Sequence, residues 1–193
     1  MNTELYKFHK AIKSLIEIND EEWDYYSSEL KVKNYKKKEI LLKPEKICKN
    51  IFYINKGLLR IFFIDKGGAE STFYFSQEND FAVDYESFLN NTPSNYTIEA
   101  MEDTRVVQMP YNMVVDGYKK LRYGEKLGRL LAEKYFIIFS KKIQNIYTKT
   151  PYERYKLMNK QFPKINQRVP QHYIASYLNI SSVHLSRLIN KKI

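Results

Sequence analysis

Ser181, Ser182, His184, Ser186 and Arg187 crowd hydroxyl, imidazole and guanidinium groups into one short stretch near the end of the chain. Such groups can read base edges or hold phosphate oxygens, and the forked donors of an arginine match O6 and N7 of guanine. That chemistry needs a rigid, exposed rod, and Val169 to Lys192 (VPQHYIASYLNISSVHLSRLINKK) has the spacing to build one. Ile174, Ala175 and Leu178 give one helix an apolar face, while Val183, Leu185 and Leu188 do the same for a second. Between them, Asn179 suits a left-handed turn, Ile180 plugs the junction and small Ala175 permits a close crossing. Ser181 or Ser182 can cap the second helix. This is the order of a helix-turn-helix, whose second helix enters a DNA major groove. An ordinary helical hairpin has the same spacing.

Charge separates the two readings. From Lys141 to Ile193 there are eleven Lys or Arg and one acid, Glu153, whereas the preceding residues carry 21 of each sign. The whole formal excess of +10 therefore sits in the C-terminal quarter, where a polyanion would be met. Arg187 is the leading base reader, followed by Ser182 and His184. Ser186 lies one turn on, and Ser181 presents an amide-rich helix end to the backbone. Arg168, Lys191 and Lys192 are expected as phosphate contacts.

Other chemistries lack their parts. The lone Cys48 excludes an internal disulfide framework and a cysteine-held iron–sulfur cluster within one chain. His9 is the only histidine outside the C-terminal region, since His172 and His184 belong to the motif, so a haem axial pair is missing. Neither a glycine-rich phosphate loop, nor closely spaced metal ligands, nor a Ser/Cys–His–acid set is present, so no enzyme, metal or cofactor is expected. No apolar stretch could cross a bilayer and no secretory leader is seen, which implies a cytoplasmic protein without a membrane partner. At 28% charged and 44% hydrophobic residues the chain is globular.

The elements that must hold the motif follow in order. Leu5, Phe8, Ile12, Leu15 and Ile16 predict an amphipathic helix to about Glu17, and Asn19 to Leu30 a second with Trp23 and Tyr26 inward. From Lys31 the pattern becomes short strands, including 51–55, 58–65 and 69–76, with turns at Lys56-Gly57 and Lys66-Gly67-Gly68. Further strands fit near Phe81, Tyr96 to Ala100 and Thr104 to Met109, which together imply a roll or jelly roll. A short helix near Met113 to Tyr118 precedes a long one from about Tyr123 to Lys149. The apolar band of that long helix, from Leu127 to Ile146, is wider than one packed face needs, and predicts contact with a second copy; the alternative is a helix buried within its own chain. Thr150-Pro151 begins the next helix, and Pro163 and Pro170 frame a loop before the motif.

The series of short helices, roll, long helix and helix-turn-helix resembles the CRP/FNR superfamily of transcription regulators over essentially the full chain. IFYINKGLLRIFF is similar to that family's strand–Gly–strand element, ENDFAVDYESFLNNTPSNYTIEAMEDTRVVQMP to its effector cassette, and ASYLNISSVHLSRLINKK to its recognition unit. The resemblance implies an α+β chain with three parts. They are a double-stranded β-helix or jelly-roll effector-type domain over 1–120, a dimerisation helix over 121–149, and a helix-turn-helix domain over 150–193. It also places a conserved arginine on the face of Arg187. The family's usual β-hairpin wing is not expected in this sequence, which stops at Ile193; a truncated chain would look the same.

Where nucleotide-binding relatives carry Gly-Glu and Arg-Ser, the matching places here are Val83-Asp84 and Ser94-Asn95, with no arginine between Arg60 and Arg105. A cyclic phosphate would lack its guanidinium, so cyclic AMP is not the expected effector. Asp84 or Glu86 could meet a ribose, and equally a solvated or helix-capping acid is natural. Phe81, Tyr85, Phe88 and Tyr96, with Tyr135 or Phe139, either surround an uncharged or lipid-like effector or fill a core. The expectation is a homodimer that binds double-stranded DNA, with RNA polymerase and an unidentified small effector as open further partners. The rival is an effector-sensing or protein-interaction module whose helix-turn-helix has degenerated.

Overall fold

A computed structural model describes residues 5–190. Two helices open the chain, α1 (Tyr6–Lys13) and α2 (Asp20–Ser27). The first is shorter than its apolar spacing predicts: it ends at Lys13 with Ser14 as cap, and Ile16 is still buried beyond its end. Asn19 caps α2 in a reciprocal capping box with Glu22, which satisfies two amides that a helix start leaves bare. Trp23 and Tyr26 face inward, and Phe8 sits between Trp23 and Tyr53.

The strands are β1 (Lys31–Tyr35), β2 (Ile40–Leu42), β3 (Asn50–Lys56), β4 (Leu59–Ile64), β5 (Glu70–Ser76), β6 (Phe81–Ala82), β7 (Thr97–Ala100) and β8 (Thr104–Pro110). They form two four-stranded sheets, in the orders β1-β8-β3-β6 and β2-β7-β4-β5, with every pairing antiparallel. The core is apolar, with Ile54, Leu58, Leu59, Phe75, Ile98, Val106 and Val107 wholly buried. This is the jelly roll that the short alternating strands predict. Gly57 joins β3 to β4 at φ +103°, with Thr104 where a Cβ would stand, so only glycine fits there. The β4–β5 turn is held by Asp65, whose Oδ1 accepts from Gly67 and Ala69 at 2.8 and 3.0 Å. Because β5 ends its sheet order, its outer edge is open to another element.

A short helix α3 (Tyr85–Asn90) interrupts the roll between β6 and β7. After the roll come α4 (Tyr111–Lys120), the 25-residue α5 (Gly124–Thr148), α6 (Pro151–Gln161), α7 (Ile165–Arg168), α8 (Gln171–Tyr177) and α9 (Ser182–Asn190). The segment between Pro163 and Pro170 is thus not a plain loop, since α7 occupies it with Ile165 buried. Pro151 stands at the first turn of α6 inside a capping box formed by Thr150 and Glu153.

Candidate nucleic-acid interface and effector cavity

In α8, Ile174 and Ala175 are buried, and the helix stops where Asn179 turns left-handed at φ +53°. The Ile180 amide donates to the Ala175 carbonyl at 3.0 Å and ties the turn to the first helix. Ser181 then caps α9 by accepting from the His184 amide at 3.1 Å. Leu185 is wholly buried and anchors α9. Ser181, Ser182, His184, Ser186 and Arg187 are all exposed along the same stretch. Val183, expected inside, is 61% exposed, because the 3.6-residue period that buries Leu185 turns its side chain away from α8. Lys191 and Lys192 lie outside the described residues.

Arg168, expected as a phosphate contact, is already engaged within the chain. Its guanidinium makes bidentate contacts to two roll carboxylates, Glu78 at 3.0 and 3.1 Å and Glu102 at 2.8 and 3.2 Å. Four of the five guanidinium donors are taken by the two acids, so Arg168 links the helical head to the roll and keeps one Nη1–H for any other acceptor. Burial acts to raise the Glu78 carboxyl, but the Arg168 guanidinium and the Gly57 amide outweigh it and hold its pKa below the usual value.

Further links surround it. Ser176 of α8 sits on the open edge of β5, its Oγ accepting from the Thr72 amide at 2.8 Å and donating to the Glu70 carbonyl at 2.9 Å. Arg60, wholly buried, stacks its guanidinium carbon 3.5 Å from the Tyr173 ring centroid on one side and 3.9 Å from that of Phe62 on the other. It also pairs with Glu70 at 2.5 Å and Glu99 at 3.5 Å. Lys142 of α5 donates to the Phe73 carbonyl and lies 4.3 Å from the Tyr177 ring centroid. Burial pushes its pKa down to about 7. The sequence motif gave no hint of these contacts, since each partner is distant in the chain.

Between the roll and α5 lies a cavity of about 480 Å³. Phe81, Tyr85, Tyr96, Tyr135 and Phe139 line it, as their types suggested, but Phe88 does not; it is buried elsewhere against Tyr111. The aromatic rings therefore do not close the space completely. Gly128 lets α5 run close to Tyr118, whose ring edge lies 2.6 Å from where a Cβ would be. Asp84 is a helix cap: one oxygen accepts from the Ser87 amide at 3.3 Å and the other from Ser94 Oγ at 2.6 Å.

Residues 32–119 match the cyclic nucleotide-binding domain family model. Solved structures agree over much more of the chain. FixK2 from Bradyrhizobium japonicum superposes with a TM-score of 0.71 at 15% identity, covering 84% of this chain and 83% of that one. The c-di-GMP responsive global regulator CLP from Xanthomonas campestris gives 0.69 at 12% identity, covering 90% and 91%. A protein described as a crp/fnr-family transcriptional regulator, from Eubacterium rectale, gives 0.72 at 19% identity, covering 90% and 83%. The chain has the CRP/FNR fold. No curated protein sequence matches it. Within this fold the cavity lies between the roll and α5, and α9 is the second helix of the C-terminal helix-turn-helix. Among the described residues no helix is long and apolar enough to cross a membrane, and no group of three or more His, Cys, Asp or Glu is placed to hold a metal ion.

Proposed function

We propose that the chain is a homodimeric, sequence-specific DNA-binding transcription regulator that does not respond to cyclic AMP. The observation that carries this reading is the exposure of Ser182, His184, Ser186 and Arg187 on a helix anchored by Leu185, in the part of the chain that holds the whole positive excess. Arg187 is assigned to a guanine edge, Ser182, His184 and Ser186 to base edges or phosphates, and Ser181 to the capped helix end. Lys191 and Lys192 supply phosphate charge.

The dimer reading draws on α5. Phe136, Ile143 and Tyr147 are 73%, 56% and 85% exposed. Their spacings of seven and four residues put them on one face, a seam suited to a second copy of the same helix. Two recognition helices would then meet major grooves about 34 Å apart. Independence from cyclic AMP is supported by the absence of any Lys, Arg or His from the cavity wall. The division into a roll, a dimer helix and a DNA-binding head near residues 120 and 150 is part of the same reading.

The docking of α8 on β5 favours a second reading, a sensing module whose head no longer binds DNA. Selection of bound fragments from random DNA by the purified full chain, with sedimentation equilibrium on the same sample, separates the two. An enriched, roughly palindromic site bound by dimer supports the regulator. An intact dimer that enriches nothing over competitor overturns it.

A further inference from the structure

The cavity between the roll and α5 has charged groups of one sign only. Asp84 and Glu86 are the ionisable acids on its wall, with no basic residue beside them. The Asp84 carboxylate is already committed to Ser87 and Ser94. The one arginine of the neighbouring strand, Arg60, is held in the other direction by Glu70, Glu99 and Tyr173. An anion in this space would lose its water, find no donor of opposite charge and face two acids. A cation would also lose its water. Its nearest counter-charge in the interior, Asp84, already has one hydrogen bond on each oxygen and is held in place by them, while Glu86 sits exposed at the mouth where solvent screens it.

The remaining wall is largely apolar, and its polar side-chain atoms are tyrosine hydroxyls, those of Tyr96 and Tyr118 included. Ile61, Phe73, Val83, Leu131 and Phe139 contribute carbon surface. Tyr135 uses its hydroxyl on the Phe81 backbone, accepting from the amide at 2.7 Å and donating to the carbonyl at 3.2 Å. The Tyr74 hydroxyl accepts from Gln161 at 3.0 Å. At the mouth Tyr85, whose side chain is hydrogen-bonded to Tyr118, and Glu86 are exposed, and the Glu86 carboxylate is able to meet one polar group. The volume falls within the roughly 300–1,000 Å³ of small-molecule sites.

We infer that this cavity binds an electrically neutral amphiphile, with an apolar body between the roll and α5 and a single hydroxyl or amide end at the Tyr85–Glu86 mouth. The inference rests on the regulator reading only in calling that ligand an effector; the binding itself is independent of DNA. It also gives the ligand a route to the head, because the Phe73 ring packs 4.8 Å from Phe139 of α5 and Tyr74 holds Gln161 of α6.

The test uses the full chain without DNA and the neutral fluorophore N-phenyl-1-naphthylamine. Its fluorescence should rise saturably at one site per chain. 1-Decanol, kept below the concentration at which it aggregates, should displace it at least tenfold more effectively than decanoate or decylammonium, and cyclic AMP should not displace it. Val83→Phe, which fills the cavity, and Ala132→Trp, which starts from an exposed position on α5 and blocks the mouth, should each weaken the fluorophore at least tenfold. A thermal melt confirms which variant is folded; if Val83→Phe is not, Ala132→Trp decides alone. No saturable binding, equal displacement by the charged chains, displacement by cyclic AMP, or unchanged binding in a folded variant would each overturn the assignment. A gel shift on the ligand-free chain tests DNA binding separately, so the two failures cannot be confused.

Discussion

Replacing Arg168 by methionine keeps most of the unbranched stem and removes the guanidinium fork. Four charge-assisted hydrogen bonds to Glu78 and Glu102 are lost. Such bonds are worth about 1.5–3 kcal/mol each where solvent is excluded, and exposed pairs about 0.2–1 kcal/mol. Here the arginine side chain is 19% exposed and each glutamate 36%, so screening is partial and the four do not add. A loss of about 2–3 kcal/mol results, part of it from leaving two acids facing each other. For a chain of this size that lowers Tm by roughly 4–12 °C. The pH dependence has a definite sign. Glu78 has a lowered pKa in the folded chain, so its contribution is complete above the unfolded value near about 4.5 and is lost as pH falls through the lower folded value. The gap between wild type and Arg168→Met therefore narrows on acidification. The decisive assay pairs this melt with DNA affinity measured against salt. A link to the roll predicts reduced stability and an unchanged salt slope, whereas a phosphate contact predicts wild-type stability and a slope reduced by about 0.9. The second result would refute the assignment of Arg168 to the interface between roll and head.

Arg60→Met should destabilise by about 3 kcal/mol in urea denaturation, because it strands Glu99 and strips Tyr173 of its cation. Burial already raises the Glu99 pKa against the pull of Arg60, and NMR titration of the variant should find it higher still. Lys142→Met should be more stable than wild type by about 1–2 kcal/mol below pH 7, where the buried amine must carry its charge. That advantage shrinks as pH rises from 7 toward the unfolded lysine value, since the wild-type penalty disappears there; denaturation midpoints at pH 6 and pH 9 measure it. Arg187→Ala should cost about 1–3 kcal/mol on a selected site and much less on random sequence, read by competition gel shift.

Much of the head was legible in the chain itself. Asn179 takes the left-handed turn, Ser181 caps α9, Leu185 anchors it, and Pro151 starts α6 between Thr150 and Glu153. The alternation of 69–76 and the apolar run of 51–55 mark strands, and the apolar run from Leu127 marks the long helix. These features depend on neighbours one to four residues away, or on the twofold and 3.6-fold periods of strand and helix, which a sequence displays directly. Tertiary structure alone decided the rest. Arg168 looked like any basic residue beside a helix-turn-helix until Glu78 and Glu102, 90 and 66 residues away, engaged its fork. Arg60 gained its role only when α8 laid Tyr173 over it. Phe88 and Phe139 are alike on paper, yet one packs against Tyr111 and the other walls a cavity. The type of a side chain sets what it can bond, but which partner it reaches is fixed by the elements that abut, and no local spacing carries that information.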